Sequence, residues 1–404
     1  MTDIGVFAGL LTALCAVVAL AILSSRVSEL LRVPTPGVFL VAAALASSVF
    51  PALGRMPIEQ VQRTVTVALV LILFEGGMGL GLERFRRDFA AIAWLGVAGT
   101  LVTAAALAAL AHLVFGLDWR AGLLLGTALS PTDPAVVFSV LGGREVTGRS
   151  LLLLKGESGA NDPVGIALMA ALVAAGGATG WTAVGTAGRE FALQMLLGLA
   201  VGAVAGPVLV WTLRRMPLPS QGVDPLWTLS GAGLTYGLAT LAHGSGFLAV
   251  LVCGIVAGDA RATHQREIEH FHSALASLGE IVAFTVLGLT VSLRSLGTGS
   301  TLWIGLGLAA LLALVVRPLL VGLVLARVRL SGAERAFVLW AGLKGAVPIL
   351  LGTYLLSAGV HDAHRLYGVV FVVVTFSVLV QGGLVPVVAR LVGLPLSTAS
   401  PPDV

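Results

Sequence analysis

Gly156, Glu157, Ser158, Gly159, Ala160, Asn161, Asp162 and Pro163 follow one another inside an otherwise apolar stretch. Carboxylate, hydroxyl and carboxamide oxygens are hard ligands that suit an alkali cation, and a carboxylate can take a proton in its place. An ionised side chain near the centre of a bilayer costs about 2.5–3.5 kcal/mol on insertion scales, so it persists only when paired, solvated or used. The run points to an ion pathway.

Other charges belong to the same apolar surroundings. Lys155 and Lys344, the only lysines, fall inside apolar stretches with Arg317, as do Glu75, Asp133 and Glu280. Charges in such numbers require a polar cavity within the bundle. At 1.5 Å per residue, Asp162 lies about 20 Å from the start of its segment near Arg149, and Glu157 about 12 Å. Asp133 lies about 21 Å into its own segment and Lys344 about 17 Å, so Asp133, Asp162 and Lys344 converge near mid-membrane. Arg317, about 24 Å in from the opposite side, reaches the depth of Glu157, and the two are expected to pair.

The elements that must position these groups are transmembrane helices. The 404 residues are 57% hydrophobic and 11% charged, with a mean hydropathy of +1.00, where soluble domains carry about 25% charge. The fold class expected is an all-α polytopic membrane protein. Against a template of about 17–25 residues, thirteen spans emerge, near 4–23, 36–53, 62–81, 89–115, 119–141, 149–176, 187–213, 223–243, 246–259, 272–294, 301–326, 333–358 and 365–391. They form one transporter domain, 1–391, followed by a short cytoplasmic tail, 392–404, too small to fold; no soluble domain is expected on either side. The first span, preceded by Asp3 and without a convincing cleavage site, is expected to be retained. Cys15 and Cys253 lie too far apart in sequence to suggest a disulfide framework or a thiolate metal site.

Fifteen arginines, among them Arg84, Arg86, Arg87, Arg149, Arg214, Arg215, Arg327 and Arg329, fall in connections on one side, against six on the other. The basic side faces the cytoplasm, which places the N-terminus outside and the C-terminus inside. The net charge of +4 follows from this asymmetry, and no concentrated basic patch suggests nucleic acid.

Two spans should break at mid-membrane. One carries Ser130, Pro131, Thr132, Asp133 and Pro134; the other carries Gly342, Leu343, Lys344, Gly345, Ala346, Val347 and Pro348. Proline removes a helix donor and glycine relaxes the backbone. An anion such as Asp133 would stabilise exposed half-helix N-termini, and a cation such as Lys344 the C-termini. The two spans are seven apart, an odd displacement that reverses direction, as in inverted repeats of about six helices with two crossed broken helices.

Thr132-Asp133-Pro134, Gly156-Glu157-Ser158 with Asn161-Asp162-Pro163, Arg317-Pro318 and Gly342 to Pro348 together resemble the monovalent cation:proton antiporters, specifically the electroneutral sodium/proton exchanger branch with its bacterial NhaP-type proteins. The resemblance covers nearly the whole chain. It implies that Asp162 binds the alkali cation and the proton alternately, helped by Thr132, Asp133 and Ser158, and that Glu157, Asn161 and Arg317 form a structural network. It implies Na+ as the transported cation, with K+ and Li+ as alternatives, no cofactor, a homodimer, and a bacterial inner membrane. Asparagine at position 161 marks the electroneutral branch, since one carboxylate exchanges one cation for one proton. The pattern is departed from at Lys344, where many relatives carry arginine, and at Lys155, which has no place in the motif.

Other readings stay open at this point. A proton-coupled organic-solute carrier would use the same crossed helices. A membrane-embedded hydrolase would divide acid and base roles between Asp133 and Asp162, and an ion channel would need repeated carbonyl-donating loops that are not visible. Lys155 is expected to snorkel, and Glu75 and Glu280 to line the cavity. His264, His270 and His272 with Glu267 and Glu269 read as a solvated polar connection, with a cytoplasmic pH sensor as the alternative and no metal-ligand spacing.

Overall fold

The computed structural model describes residues 4, 5, 8, 12, 19, 34–141, 144–146, 149–176, 180–215, 222–260, 262, 264–296, 300–394 and 396–398. Most of the first expected span, Asp3, Cys15, Arg26, Arg32, Arg261 and the tail beyond 398 lie outside the described residues.

Fifteen helices carry the argument. They are α1 (Thr35–Val49), α2 (Ile58–Leu80), α3 (Leu82–Leu113), α4 (Trp119–Ala128), α5 (Pro134–Ser139), α6 (Arg149–Ala174), α7 (Gly180–Arg215) and α8 (Val223–Leu241). They continue with α9 (Gly246–Gly258), α10 (Gln265–Leu289), α11 (Thr301–Leu325), α12 (Gly332–Trp340), α13 (Ala346–Ser357), α14 (Ala363–Gly382) and α15 (Val385–Leu391). Six of these, α2, α3, α7, α10, α11 and α14, are long and apolar enough to cross a membrane, and α1, α9 and α13 are shorter apolar helices. Helix α6 is 26 residues long, but Glu157, Ser158, Asn161 and Asp162 interrupt its apolar surface.

The helices sort into two groups. In one, α2 packs on α9 and α10, α10 on α1, and α9 on α7 and α8. In the other, the second half of α3 packs on α4 and on α11, while α14 packs on α11 and α13. Helix α6 lies between them, touching α7 and α9 on one side and α3 and α4 on the other.

The seam between α2 and α9 is built from glycine. A Cβ on Gly77 would stand 2.6 Å from the Leu251 carbonyl oxygen, and one on Gly254 or Gly258 would strike the Phe74 or Met78 carbonyl. Only hydrogen at these positions lets the two backbones meet.

Local chemistry explains the helix ends. Helix α2 stops at Gly81, whose φ of +66° is open to glycine, so α3 restarts at once and runs from Leu82 rather than from 89. Asp259, at the end of α9, accepts the Glu83 backbone N–H at 2.7 Å and caps that restart from the neighbouring helix. Asp118 accepts from Ala121 N–H at 3.0 Å at the start of α4, and a reciprocal Ser331–Glu334 capping box opens α12.

The membrane protein is all-helical, as expected, with one small addition: Arg144–Val146 and Leu396–Thr398 pair antiparallel, with Glu145 opposite Ser397. Part of the tail thus takes structure, because an extended strand fulfils its backbone hydrogen bonds on another strand even where it is too short for a core. One expectation requires correction: the histidine cluster is not a loop, though Glu267, Glu269 and His270 are exposed as expected. Residues 265–289 are helical, His272 is buried with its Nε2 2.8 Å from Thr228 Oγ1, and His264 pairs with Asp224 at 2.7 Å. Helical geometry leaves Glu267, Glu269 and His270 exposed and turns His272 inward to pack.

Candidate functional site

Both helix breaks lie where proline and glycine stand. Helix α4 ends at Ala128 and α5 begins at Pro134; Asp133, forced extended by the proline after it, has φ −127° and ψ 113°. Helix α12 ends at Trp340 and α13 begins at Ala346, after Gly345 at φ −118° and ψ −144°. The breaks touch, since the Asp133 N–H donates to the Leu343 carbonyl at 2.8 Å.

Four half-helix ends therefore gather in one place, each met by a side chain of opposite sign. The Asp133 carboxylate accepts the Ala135 N–H at 2.9 Å at the start of α5, and it lies against Gly345, at the start of α13. The Lys344 ammonium donates to the Ser130 and Pro131 carbonyls, both at 2.9 Å, at the end of α4. The guanidinium of Arg317 donates to the Leu339 carbonyl at 2.9 Å and the Val338 carbonyl at 3.2 Å, at the end of α12. Half-helix dipoles concentrate partial charge at their ends, and these three residues offset it.

Arg317 also forms a fork with Glu157 of α6, Nη1 to Oε1 at 2.9 Å and Nη2 to Oε2 at 3.1 Å. Both side chains are about 5% exposed, and all the hydrogen-bonding capacity that matters is used, the condition under which a buried ion pair is tolerated. The arginine stands in a widened turn of α11, Leu312–Val321, where Pro318 withholds a backbone donor.

Asn161 ties α6 to the first break. Its amide Nδ2 donates to Thr132 Oγ1 at 2.7 Å, and its Oδ1 accepts the Thr132 N–H at 3.3 Å. Glu157 and Asn161 are four residues apart, as are Ser158 and Asp162, so each pair shares a face of α6. The first face binds scaffold and the second is left for other use. Asp162 is buried at 8% exposure, within Coulombic reach of Asp133 and Lys344, and among the described residues no donor hydrogen-bonds its carboxylate. Ser158 is buried beside it.

A cavity of about 710 Å³, lined by Gly79, Leu80, Arg84, Arg87, Asp88, Arg149, Leu151, Leu152 and Lys155, opens on the arginine-rich end. A second, of about 350 Å³, shares Gly79, Leu80 and Arg84 and adds Glu75, Asp259, Glu269 and His270. Lys155 faces this space, 5.8 Å from the Phe138 ring centroid and electrostatically coupled to Glu75. Glu280 of α10 is within Coulombic reach of Asp133 and Glu75, but it lines neither of these two cavities. Ser377 and Gln381 of α14, which sequence spacing did not single out, hold the α12–α13 break; their only signal was a polar pair four residues apart in an apolar span.

The tightest approach supplies a prediction. A Cβ on Gly345 would run into the Asp133 carboxylate. Gly345→Ala is expected to displace Asp133 at a cost of roughly 1–3 kcal/mol, read as a lowered unfolding temperature in detergent together with loss of transport.

A helical membrane protein with its charges gathered around interrupted helices is built as a carrier. Residues 14–391 match the family described as sodium/hydrogen exchanger, transmembrane. The K(+)/H(+) antiporter NhaP of Alkalimonas amylolytica is 36% identical over 95% of this chain and 67% of its own length. The K(+)/H(+) antiporter NhaP2 of Shewanella sp. (strain MR-4) is 32% identical over 92% of this chain, and the chain spans 65% of that relative's length. The fold is similar to that of the sodium proton antiporter MjNhaP1 from Methanocaldococcus jannaschii, with a TM-score of 0.78 at 20% identity, covering 95% of this chain and 97% of that one. The chain belongs to the sodium/hydrogen exchanger family, a family of transporters and not of enzymes, and within it to the NhaP-type cation/proton antiporters. The hydrolase alternative falls with that membership.

Proposed function

We propose that this protein exchanges a monovalent alkali cation for a proton, one for one, at Asp162. The observation that carries the reading is the Asp162 carboxylate itself: buried, between one negative and one positive neighbour, and without a hydrogen-bond donor among the described residues. Such a group holds either a proton or a cation, since each neutralises the same charge. Thr132, Asp133 and Ser158 supply further oxygens, with Glu157, Asn161 and Arg317 as the frame and Lys344 as the compensating cation. The carboxamide of Asn161, engaged with Thr132, leaves one exchanging carboxylate on this face. The names of the relatives favour K+ and Na+ as substrates.

The wider arrangement is part of the proposal. Thirteen spans in two inverted repeats of about six would cross as broken helices at the site, and one group of helices would rock against the other to expose Asp162 to each side in turn. The N-terminus would lie outside, the C-terminus in the cytoplasm, with the protein a homodimer in the inner membrane.

The test is made in proteoliposomes with an imposed pH gradient. Adding Na+, K+ or Li+ is expected to dissipate the gradient without net current, at a rate unaffected by a clamped membrane potential. A rate that follows the potential would overturn the one-for-one stoichiometry, and indifference to all three cations would overturn the function.

A further inference from the structure

In an uninterrupted helix the Lys344 N–H would donate to the Trp340 carbonyl four residues before it. The break between α12 and α13 separates these two groups, and α14 joins them again through side chains. The Lys344 N–H donates to Ser377 Oγ at 2.9 Å. The Ser377 hydroxyl donates to Gln381 Oε1 at 3.2 Å, and Gln381 Nε2 donates to the Trp340 carbonyl at 2.7 Å. The Trp340 indole N–H closes the circuit on the Gln381 carbonyl at 3.1 Å. Ser377 and Gln381 are 3% and 5% exposed, so water cannot substitute for them without cost.

We propose that Ser377 and Gln381 are positioning residues for cation exchange: their side chains splice the severed helix bond and thereby fix where the Lys344 ammonium stands. The physical reason is the reach of lysine. Its flexible stem places the charge only as well as its backbone is held, and among the described residues the backbone N–H of Lys344 is held by Ser377 alone while Nζ spans to the Ser130 and Pro131 carbonyls. Loosening the splice lets the ammonium leave those carbonyls and approach Asp162, with which it is already electrostatically coupled. A closer cation on Asp162 competes with the transported cation.

Both residues stand in the widened turn Ser377–Gly382 of α14. Such turns place side chains where a regular helix does not, and they recur at functional sites. The local cause is thus in the sequence of α14, not in the broken span.

This inference deepens the antiport reading and rests on it for its kinetic test. In proteoliposomes, Ser377→Ala and Gln381→Met are expected to raise the KM for Na+ and K+ about tenfold, the effect of one lost buried hydrogen bond, with the maximal rate retained and the acid limb of the pH profile displaced. Ser377→Thr keeps the hydroxyl and is expected to match the wild type. An unchanged KM and pH profile in folded Ser377→Ala overturns the proposal, as does a fall in maximal rate alone that Ser377→Thr shares. If Gln381→Met does not fold, Ser377→Ala decides by itself. Absence of exchange in the wild type would overturn the antiport reading instead. Amide hydrogen exchange then tests the splice directly: Ser377→Ala should lose protection at Lys344, and retained protection overturns it.

Discussion

Asp162→Asn is expected to reduce cation-dependent dissipation of an imposed pH gradient to background while the protein stays folded in the membrane. The substitution keeps the size and one acceptor oxygen of the side chain but removes the charge that a proton or a cation neutralises. Folding should survive, because no described donor depends on the Asp162 carboxylate, unlike Glu157 or Asp133. Burial at 8% exposure even makes the neutral amide the easier group to hold in place. The wild type supplies the companion measurement. If proton and cation compete for one carboxylate, then on the acid side of the profile the apparent KM for the cation should rise about tenfold for each unit of pH. A residual cation-dependent rate in Asp162→Asn would move the exchange site to another acid, and a KM indifferent to pH would break the competition.

Arg317→Ala is expected to be destructive for a different reason. Removing the guanidinium leaves Glu157 charged and buried without a partner, and uncovers the Leu339 and Val338 carbonyls at the end of α12. Breaking a buried pair in this way costs about 3–5 kcal/mol, a large share of the total stability of most proteins. Little folded protein is expected, measured as monodisperse yield and unfolding temperature in detergent. The double variant Arg317→Met with Glu157→Gln should recover part of the loss, since the orphaned charge is gone while the carbonyls remain bare. Arg317→Lys should also recover only part, because an ammonium cannot serve a carboxylate fork and two carbonyls with the geometry of a guanidinium. Equal stability of Arg317→Ala and wild type would mean that the pair is dispensable scaffold.

These contrasts show what was legible in the chain and what was not. Helix breaks were readable because proline and glycine act locally: Pro134 can open α5 but not continue α4, and Gly345 leaves helical geometry just before α13. Depth was readable because rise per residue is constant, which is why Glu157 and Arg317 could be matched across 160 positions. Family resemblance supplied Asp162 as the proposed exchange site, which no spacing alone could do. The partners of a charge were harder. Lys344 reaches the carbonyls of Ser130 and Pro131, and backbone groups carry no sequence mark. His272 looked like a loop residue from its charged neighbours Glu267 and Glu269, yet the helix rotates it against Phe74 and Thr228. The pairing of residues 144–146 with 396–398 joins segments far apart in sequence, and three-residue strands leave too short a pattern to read.

The glycine seam between α2 and α9 bears on which part of the molecule moves. Side chains can rearrange past one another, but two backbones held in contact at Gly77, Gly254 and Gly258 have nothing soft between them. In the rocking motion proposed above, that pair of helices would be a stator. The compliance that the proposed exposure of Asp162 to each side requires would then lie elsewhere, along the boundary where α6 meets α7 and α9 and at the Gly81 joint between α2 and α3. On that proposal, a methyl group placed in the seam would jam nothing in the moving part; it would spread the rails on which that part runs.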